Sequence, residues 1–221
     1  MKQSIPTPTK SSERAGEGTR LFRNRWIEAF TRTHISIPLI LFYGGALGLI
    51  LYTVFYTPIS GFAIAGLFWL GMFVFTFIEY AMHRWLFHLV TDTAARTRFQ
   101  YVVHGVHHKY PRDRERLVMP PFVSLAISIT LVGIFQMVMG IYSYSFVAGI
   151  ISGYASYLVI HYSVHIFKPP RNFLRRLWTH HAVHHYRDDG VAYGVSSPLW
   201  DFIFHTLPRD SKKVRSQVEH S

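Results

Sequence analysis

Ten of the fourteen histidines in this 221-residue sequence fall into four short clusters. Neutral imidazole binds iron, zinc, copper and nickel, so a repeated histidine pattern is a candidate metal site. A single histidine is more often a surface or hydrogen-bonded residue, but ten at repeated spacing favour ligands. The clusters are, in chain order, His83 with His88; His104 with His107 and His108; His161 with His165; and His181 with His184 and His185.

The spacing within most clusters is three or four residues. Residues so spaced lie on one face of a helix, so both triplets and the pair His161/His165 are predicted to converge. His83 and His88 are the exception, because side chains five residues apart on a regular α-helix point about 140° away from each other. Either the helix ends between these two histidines, or they approach the cluster from opposite sides.

The number of candidate ligands exceeds what one ion takes. A structural zinc binds four ligands and a catalytic zinc about three plus water. Two ions sharing ten nitrogens have about five each, so the sequence predicts a dinuclear centre. The spacing does not decide whether His180 is a ligand. His34, His205 and His220 lie outside the clusters and are interpreted as non-ligands.

Glu79 is the one carboxylate inside a long apolar segment, and it precedes His83 by one helical turn. Ionisable residues inside a membrane segment are usually functional, and a carboxylate commonly orients a metal-binding imidazole. We therefore predict that Glu79 supports a ligand histidine from outside the ligand shell. The alternative is a glutamate at a helix end that reaches water.

Two long segments carry almost no charge. Between residues 33 and 83 only Glu79 is charged, and residues 117–167 contain no Asp, Glu, Lys or Arg. One membrane crossing takes about 20 residues, so each segment has room for two. We predict crossings at about 35–56, 61–80, 120–142 and 146–167, and a helix capped by Asn172 and ended by Gly190. The predicted fold is an all-α integral membrane protein with four transmembrane helices and a cytoplasmic helical cap.

Basic residues account for the net charge of +11 and fall in three blocks, 2–32, 84–116 and 168–215. The short connections near residues 57 and 143 carry none. This positive-inside pattern predicts that both termini and all histidine clusters lie in the cytoplasm. It also explains the charge without nucleic acid, so membrane lipids are the expected partner and nucleic acid is not.

The absence of cysteine excludes disulfides, thiolate-bound haem and iron–sulfur clusters. Residues 1–34 are predicted to be a mobile tail and membrane entry, residues 35–208 the catalytic domain, and residues 209–221 a C-terminal tail.

The clusters and the strings around them resemble the membrane-bound fatty acid hydroxylase superfamily. Four strings look like its fatty acid 2-hydroxylase branch: I-E-Y-A-M-H-R-W-L-F-H (78–88), H-G-V-H-H-K-Y-P-R-D (104–113), R-L-V-M-P-P (116–121) and Y-G-V-S-S-P-L-W-D-F-I-F-H-T-L (193–207). The resemblance covers about residues 35–208. Eukaryotic members carry an N-terminal cytochrome b-type domain, for which the first 34 residues are too short, so we expect a compact form in a bacterial inner membrane.

The resemblance implies that all ten clustered histidines bind metal and that His180 and His205 do not. It further implies O2-dependent hydroxylation of a long acyl chain, free or in a lipid, at carbon 2. The expected cofactors are two iron ions, which zinc can replace in a purified form, with O2 and electrons from a separate electron-transfer protein. The alternatives are a sterol- or carotenoid-type oxidase of the same superfamily, a zinc-dependent membrane hydrolase, and a non-catalytic metal-binding membrane protein.

Overall fold

The computed structural model describes residues 21–208 as a helical protein; most of both predicted tails lies outside these residues. No strand occurs within the described range, which confirms the all-α prediction there. In chain order the helices are α1 (Arg25–Phe30), α2 (Ser36–Tyr56), α3 (Gly61–Ala81), α4 (Ala94–Gln100), α5 (Val106–Lys109), α6 (Pro121–Met139), α7 (Ser143–Ile166), α8 (Arg175–Tyr186) and α9 (Leu199–Ile203).

Three helical segments of residues 21–208 are long and apolar enough to cross a membrane: Ser36–Tyr56, Gly61–Phe87 and Pro121–Ile166. The first two agree with the predicted crossings at 35–56 and 61–80. The third contains α6, a 3₁₀ turn at Gly140–Tyr142, and α7. It therefore includes both of the remaining segments that the sequence predicts.

Proline and hydroxyl side chains set the ends of these helices. Pro58 follows the end of α2, and the hydroxyl of Ser60 accepts a hydrogen bond from the backbone N–H of Ala63 to cap α3. Pro121 occupies the first position of α6, where its missing N–H is not needed. Gly140, with φ of +56°, ends α6 in a conformation that favours glycine.

Helix α7 lies at the centre of the bundle and packs against α2, α3 and α6. The buried core joins Phe42 of α2, Phe75 of α3, and Val147 and Ile151 of α7. Outward-facing side chains are apolar as well, for example Ile40, which is 75% exposed. An apolar exterior around an apolar core is typical of a helix bundle in lipid.

The remaining helices form a cap at one end of the bundle, where α3 and α7 end. Helix α8 is shorter than predicted, by two residues at its start and three at its end. Asn172 accepts a hydrogen bond from the N–H of Leu174 and so caps a tight turn that precedes α8, which begins at Arg175. The helix ends at Tyr186, four residues before Gly190, because the chain turns at residues 187–190.

Candidate metal centre

All ten clustered histidines meet inside the cap, in two groups of five. Within each group, one ligand nitrogen from every histidine lies within 4.8 Å of all the others. Group A consists of His83, His88, His104, His108 and His184. Group B consists of His107, His161, His165, His181 and His185.

The distances within each group fit a metal ion. Seven Nε2–Nε2 pairs lie 2.8–3.2 Å apart, four in group A and three in group B. With a metal–nitrogen distance of about 2.1 Å, two ligands at right angles lie about 3.0 Å apart. Each group can therefore surround one ion, and the rings of His108 and His185 stack at 4.3 Å where the groups adjoin.

Helical spacing determines which histidines share a group. The pairs four residues apart, namely His104/His108, His161/His165 and His181/His185, each stay within one group. His107 and His184, each three residues after a cluster's first histidine, belong to the opposite group. One helical turn takes about 3.6 residues, so the side chains three and four residues after a given histidine lie to either side of it. Each histidine triplet therefore contacts both groups.

A π-helical turn resolves the awkward spacing of His83 and His88. Residues Met82–Phe87 form this turn, and the N–H of His88 donates to the carbonyl of His83, five residues back. Hydrogen bonds between residues five apart widen the helix, so residues at this spacing lie on the same side. Both histidines therefore belong to group A. The helix ends at Phe87, between the two histidines, which is one of the two geometries predicted for them. A second π turn, Tyr101–Gly105, contains His104.

Backbone carbonyls fix the orientation of three of the clustered histidine rings. The Nδ1 atoms of His184 and His161 lie 2.8 and 3.3 Å from the carbonyl oxygens of Val191 and Leu117. The Nδ1 atom of His83 lies against the carbonyl of Tyr193. A carbonyl only accepts hydrogen bonds, so Nδ1 carries the proton and the Nε2 lone pair is directed at the group.

The surroundings keep the cap histidines neutral. Burial, followed by neighbouring imidazoles, holds the pKa values of His104, His107 and His181 well below the ordinary 6.5. Burial lowers the pKa of His108 to about 4 and that of His184 to about 3. At neutral pH these rings therefore present lone pairs, which a metal ion requires.

The Glu79 carboxylate binds a loop that contacts one of the histidine groups. Its carboxylate accepts hydrogen bonds from the N–H groups of Val195 (2.6 Å) and Ser196 (2.9 Å) and from the hydroxyl of Ser196. The same loop supplies the Tyr193 carbonyl that accepts from His83. The backbone of residues 193–196 therefore connects the Glu79 carboxylate to the His83 imidazole.

Asp201 is a buried carboxylate that the sequence did not single out. It accepts hydrogen bonds from the N–H groups of Tyr193 (2.9 Å) and Gly194 (2.8 Å), and its Oδ2 lies 3.0 Å from Nε2 of His180. Burial alone raises the pKa of Asp201, but the bond to His180 and those from Thr206 and Gly194 outweigh it and lower the pKa. His180 thus belongs to neither group, and no spacing pattern marks Asp201.

The other two described histidines also lie outside the groups. Nδ1 of His34 lies 2.7 Å from the hydroxyl of Ser36, and His205 occupies a turn with φ of +56°. His220 falls outside the described residues.

A cavity of about 380 Å³ lies directly against the histidine groups. His83 and His104 of group A and His107 and His161 of group B form one of its walls. The other walls are mainly apolar and come from α3, α6 and α7, with Arg116 near the cap. An apolar volume of this size is typical of a small-molecule site.

Comparison with known proteins identifies the family. A sequence profile described as fatty acid hydroxylase matches residues 68–206, which include every clustered histidine. The chain belongs to the fatty acid hydroxylase family. The predicted resemblance to this family is therefore confirmed.

Two relatives have names that describe 2-hydroxylation of fatty acids or fatty acyl groups. The chain is 36% identical over 156 residues to fatty acid 2-hydroxylase of Macaca fascicularis, covering 69% of this chain and 42% of that protein. It is 32% identical to dihydroceramide fatty acyl 2-hydroxylase FAH2 of Arabidopsis thaliana, covering 87% and 81% respectively. The chain thus spans less than half the length of the macaque relative.

A solved structure of full-length scs7p, in which only the hydroxylase domain is visible, has a similar fold. The TM-score is 0.77 at 30% identity, and the match covers 85% of this chain and 71% of that chain. The helical fold described above is therefore similar to that of a hydroxylase domain of known structure.

Proposed function

We propose that this protein is an O2-dependent hydroxylase of long acyl chains, free or lipid-bound, that places the hydroxyl group on carbon 2. The observation that carries the proposal is the contact between the apolar cavity and both histidine groups. A hydrocarbon chain in this cavity has a C–H bond next to two adjacent metal positions. The names of the relatives, which specify 2-hydroxylation of fatty acyl groups, support the same reaction.

The ten histidines of groups A and B are the proposed ligands of two iron ions. When bound, the iron pair supplies the reduction of O2 and the oxidation of an unactivated carbon, which no side chain performs alone. The chain's own residues hold the rings with Nε2 facing each group, and they exclude bulk water. Seven of the ten histidines are less than 9% exposed: His83, His104, His107, His161, His165, His181 and His184.

The cavity favours the first carbons of the chain as the site of reaction. Its apolar wall reaches Ile150, eleven residues or about 16 Å along α7 from His161. At the other end, near the cap, it reaches the buried guanidinium of Arg116. An acyl chain with its tail beside Ile150 and its polar end near Arg116 presents its first carbons to the histidines.

Arg116 is positioned to receive that polar end. Its guanidinium bonds to Glu28, lies 3.2 Å from the hydroxyl of Thr31, and has its Nε 3.4 Å from the carboxylate of Asp113. Two carboxylates therefore balance its charge and hold the residue in place. Because a guanidinium carries five N–H donors, donors remain for a carbonyl or carboxylate of the substrate. We infer that Arg116 binds the acyl carbonyl end.

A second, polar opening of about 360 Å³ leads to the centre from outside the bundle. It is lined by His108, His184 and His185 and by residues 186–189. We propose that electrons enter here from a separate protein, a ferredoxin or small cytochrome, because the described residues carry no haem, flavin or cluster motif. The apolar cavity and the polar opening keep lipid and electron donor on different sides of the ligands.

We further propose four crossings, with both termini and the cap in the cytoplasm. The Pro121–Ile166 segment has 46 residues and would be about 69 Å long as one straight helix, whereas the hydrocarbon core is about 30 Å thick. Packing of α6 against α7 supports a hairpin of two crossings. The basic blocks on either side of the apolar segments support the cytoplasmic orientation.

Mass spectrometry of lipids from cells that express the protein with an electron donor tests the reaction. The expected product is a 2-hydroxy acyl group that disappears without O2. A mid-chain hydroxyl, a double bond or an oxidised ring indicates another oxidase, and an O2-independent product indicates a hydrolase. Any of these outcomes contradicts the proposal. Reporter fusions after residue 15, in the 140–142 turn and after residue 215 are expected to report inside, outside and inside.

A further inference from the structure

The loop of residues 191–196 contacts group A specifically. The carbonyl of Val191 accepts the Nδ1 hydrogen of His184 at 2.8 Å, and the carbonyl of Tyr193 accepts that of His83. Both rings belong to group A. One short stretch of backbone therefore sets the orientation of two of the five ligands at one metal position.

Two buried carboxylates hold this loop. Asp201 accepts from the N–H groups of Tyr193 and Gly194, and Glu79 accepts from those of the next two residues. Four consecutive N–H groups are thus bound to carboxylate oxygens. A Cβ atom on Gly194 would lie only 2.1 Å from the carbonyl oxygen of Ser197, so the close approach requires glycine.

Group B has less support of this kind. The Nδ1 atom of His161 lies 3.3 Å from the carbonyl of Leu117, a longer contact than that of His184. The Nδ1 atoms of His107, His181 and His185 are buried, and they have no hydrogen-bond partner among residues 21–208. A backbone carbonyl therefore orients one ring of group B, against two rings of group A.

We propose that the two metal positions are inequivalent, and that group A binds its ion more tightly because Glu79 and Asp201 hold the 191–196 loop in place. The inference rests on the dinuclear centre of the proposed function. A hydrogen bond to the second nitrogen of a ligand histidine fixes its tautomer and raises its basicity, and losing such support typically lowers metal affinity by about 10–100-fold. Glu79 and Asp201 are thus positioning residues for one metal position.

The difference in burial between the two groups affects how fast each ion exchanges. For exchange rate, it acts against the proposed order of affinities. Group A includes the partly exposed His88 and His108, whereas in group B only His185 is partly exposed. A chelator reaches group A more easily, so a measurement of release rates would mix access with affinity. The comparison therefore has to be made at equilibrium.

The test is an equilibrium titration of the purified full-length protein with zinc in chelator-buffered solutions, with bound zinc counted by elemental analysis. We expect two ions, bound in two steps separated by about tenfold or more. Ser196→Ala removes one hydrogen bond to Glu79, and Asp201→Asn weakens two. Both substitutions are expected to weaken the tighter step, Asp201→Asn by about 10–100-fold, and to leave the weaker step unchanged.

Ser197→Ala is the matched control. The Ser197 hydroxyl bonds to the N–H of Leu199 rather than to Glu79, so neither step should move. Single ligand variants assign the steps, because His88→Ala should abolish the tighter one and His165→Ala the weaker one. Should Asp201→Asn fail to fold, Ser196→Ala carries the test with the loss of a single hydroxyl group.

Two ions that bind in one step, or a Ser196→Ala effect confined to the weaker step, overturn the inequivalence while leaving the dinuclear centre intact. Fewer than two ions in the unmodified protein overturn the proposed centre and this inference together. A loss of the tighter step in His165→Ala reverses the assignment and likewise contradicts the proposal.

Discussion

Gly71 of α3 and Gly149 of α7 face each other where the two helices cross. A Cβ atom on Gly149 would lie 2.0 Å from the carbonyl oxygen of Phe68 and 3.0 Å from the Cα of Gly71. A Cβ atom on Gly71 would lie 2.0 Å from the carbonyl oxygen of Phe146. Small residues let helix backbones approach closely in a membrane. This contact joins α7, which carries His161, to α3, which continues into the π turn that carries His83, so it also sets the distance between these two histidines.

Gly149→Ala is therefore expected to lower the free energy of unfolding by about 1–3 kcal/mol, the usual cost of adding atoms to a packed interior. The new methyl group meets backbone, which cannot rotate away as a side chain can. Thermal unfolding in detergent measures the effect. Gly133→Ala is the control, because a Cβ atom there has no neighbour within 4 Å. Equal stability of the two variants would show that the crossing is not close-packed.

Substituting one ligand histidine should remove both product and metal. His107→Ala, His161→Ala and His184→Ala are each expected to abolish the hydroxylated lipid and to lower the metal content below two ions per chain. His34→Ala should retain both, because His34 contacts Ser36 away from the groups. Elemental analysis and lipid profiling give the two readouts. An active His184→Ala protein contradicts the assigned ligand set.

The proposed external electron donor predicts the behaviour of the isolated protein. Purified protein with substrate and oxygen but without reductant should complete at most one turnover per centre. The physical reason is that each hydroxylation converts one O2 into a hydroxyl group and a water molecule and consumes two electrons from outside the substrate. Apart from the metal centre, the described residues have no group that can store these electrons. Sustained product formation in that mixture, measured by mass spectrometry, argues against a separate donor.

Much of the fold follows from local sequence signals. The predicted crossings at 35–56 and 61–80 match α2 and α3 closely, because Pro58 and Ser60 act on their immediate neighbours. The predicted start of α8 is too early because the capping signal of Asn172 is also local. Asn172 does cap backbone, as expected of an asparagine, but the chain first makes a tight turn, with N–H groups bonding three residues back. Sequence does not distinguish that turn from the first turn of an α-helix.

The site was predictable as a set of converging histidines but not as a geometry. Spacing of three and four residues identified the converging histidines without tertiary information. The π turn at Met82–Phe87 differs from an α-helix by a one-residue shift of hydrogen bonding, and His83 is held by a carbonyl 110 residues away in sequence. The role of Asp201 likewise depends on contacts made only after folding.

The depth of the apolar cavity predicts which chain lengths the enzyme accepts. Leu131 of α6 lines the cavity beside Ile150 of α7, at the end away from the histidines. Leu131→Trp adds bulk where the tail ends, so the hydroxylated products should shift to shorter acyl chains, whereas Leu131→Ala should extend them. Mass spectrometry of the 2-hydroxy acyl groups from expressing cells gives the distribution.

Leu125→Trp is the matched control for this shift. Leu125 lies on the same helix, is 39% exposed and does not line the cavity, so a tryptophan there adds the same bulk outside it. The ratio of long to short products should then equal that of the unmodified enzyme. If both tryptophan variants change the distribution alike, chain length is set by the surrounding lipid or by helix packing. A shift confined to Leu131→Trp places the acyl tail between α6 and α7.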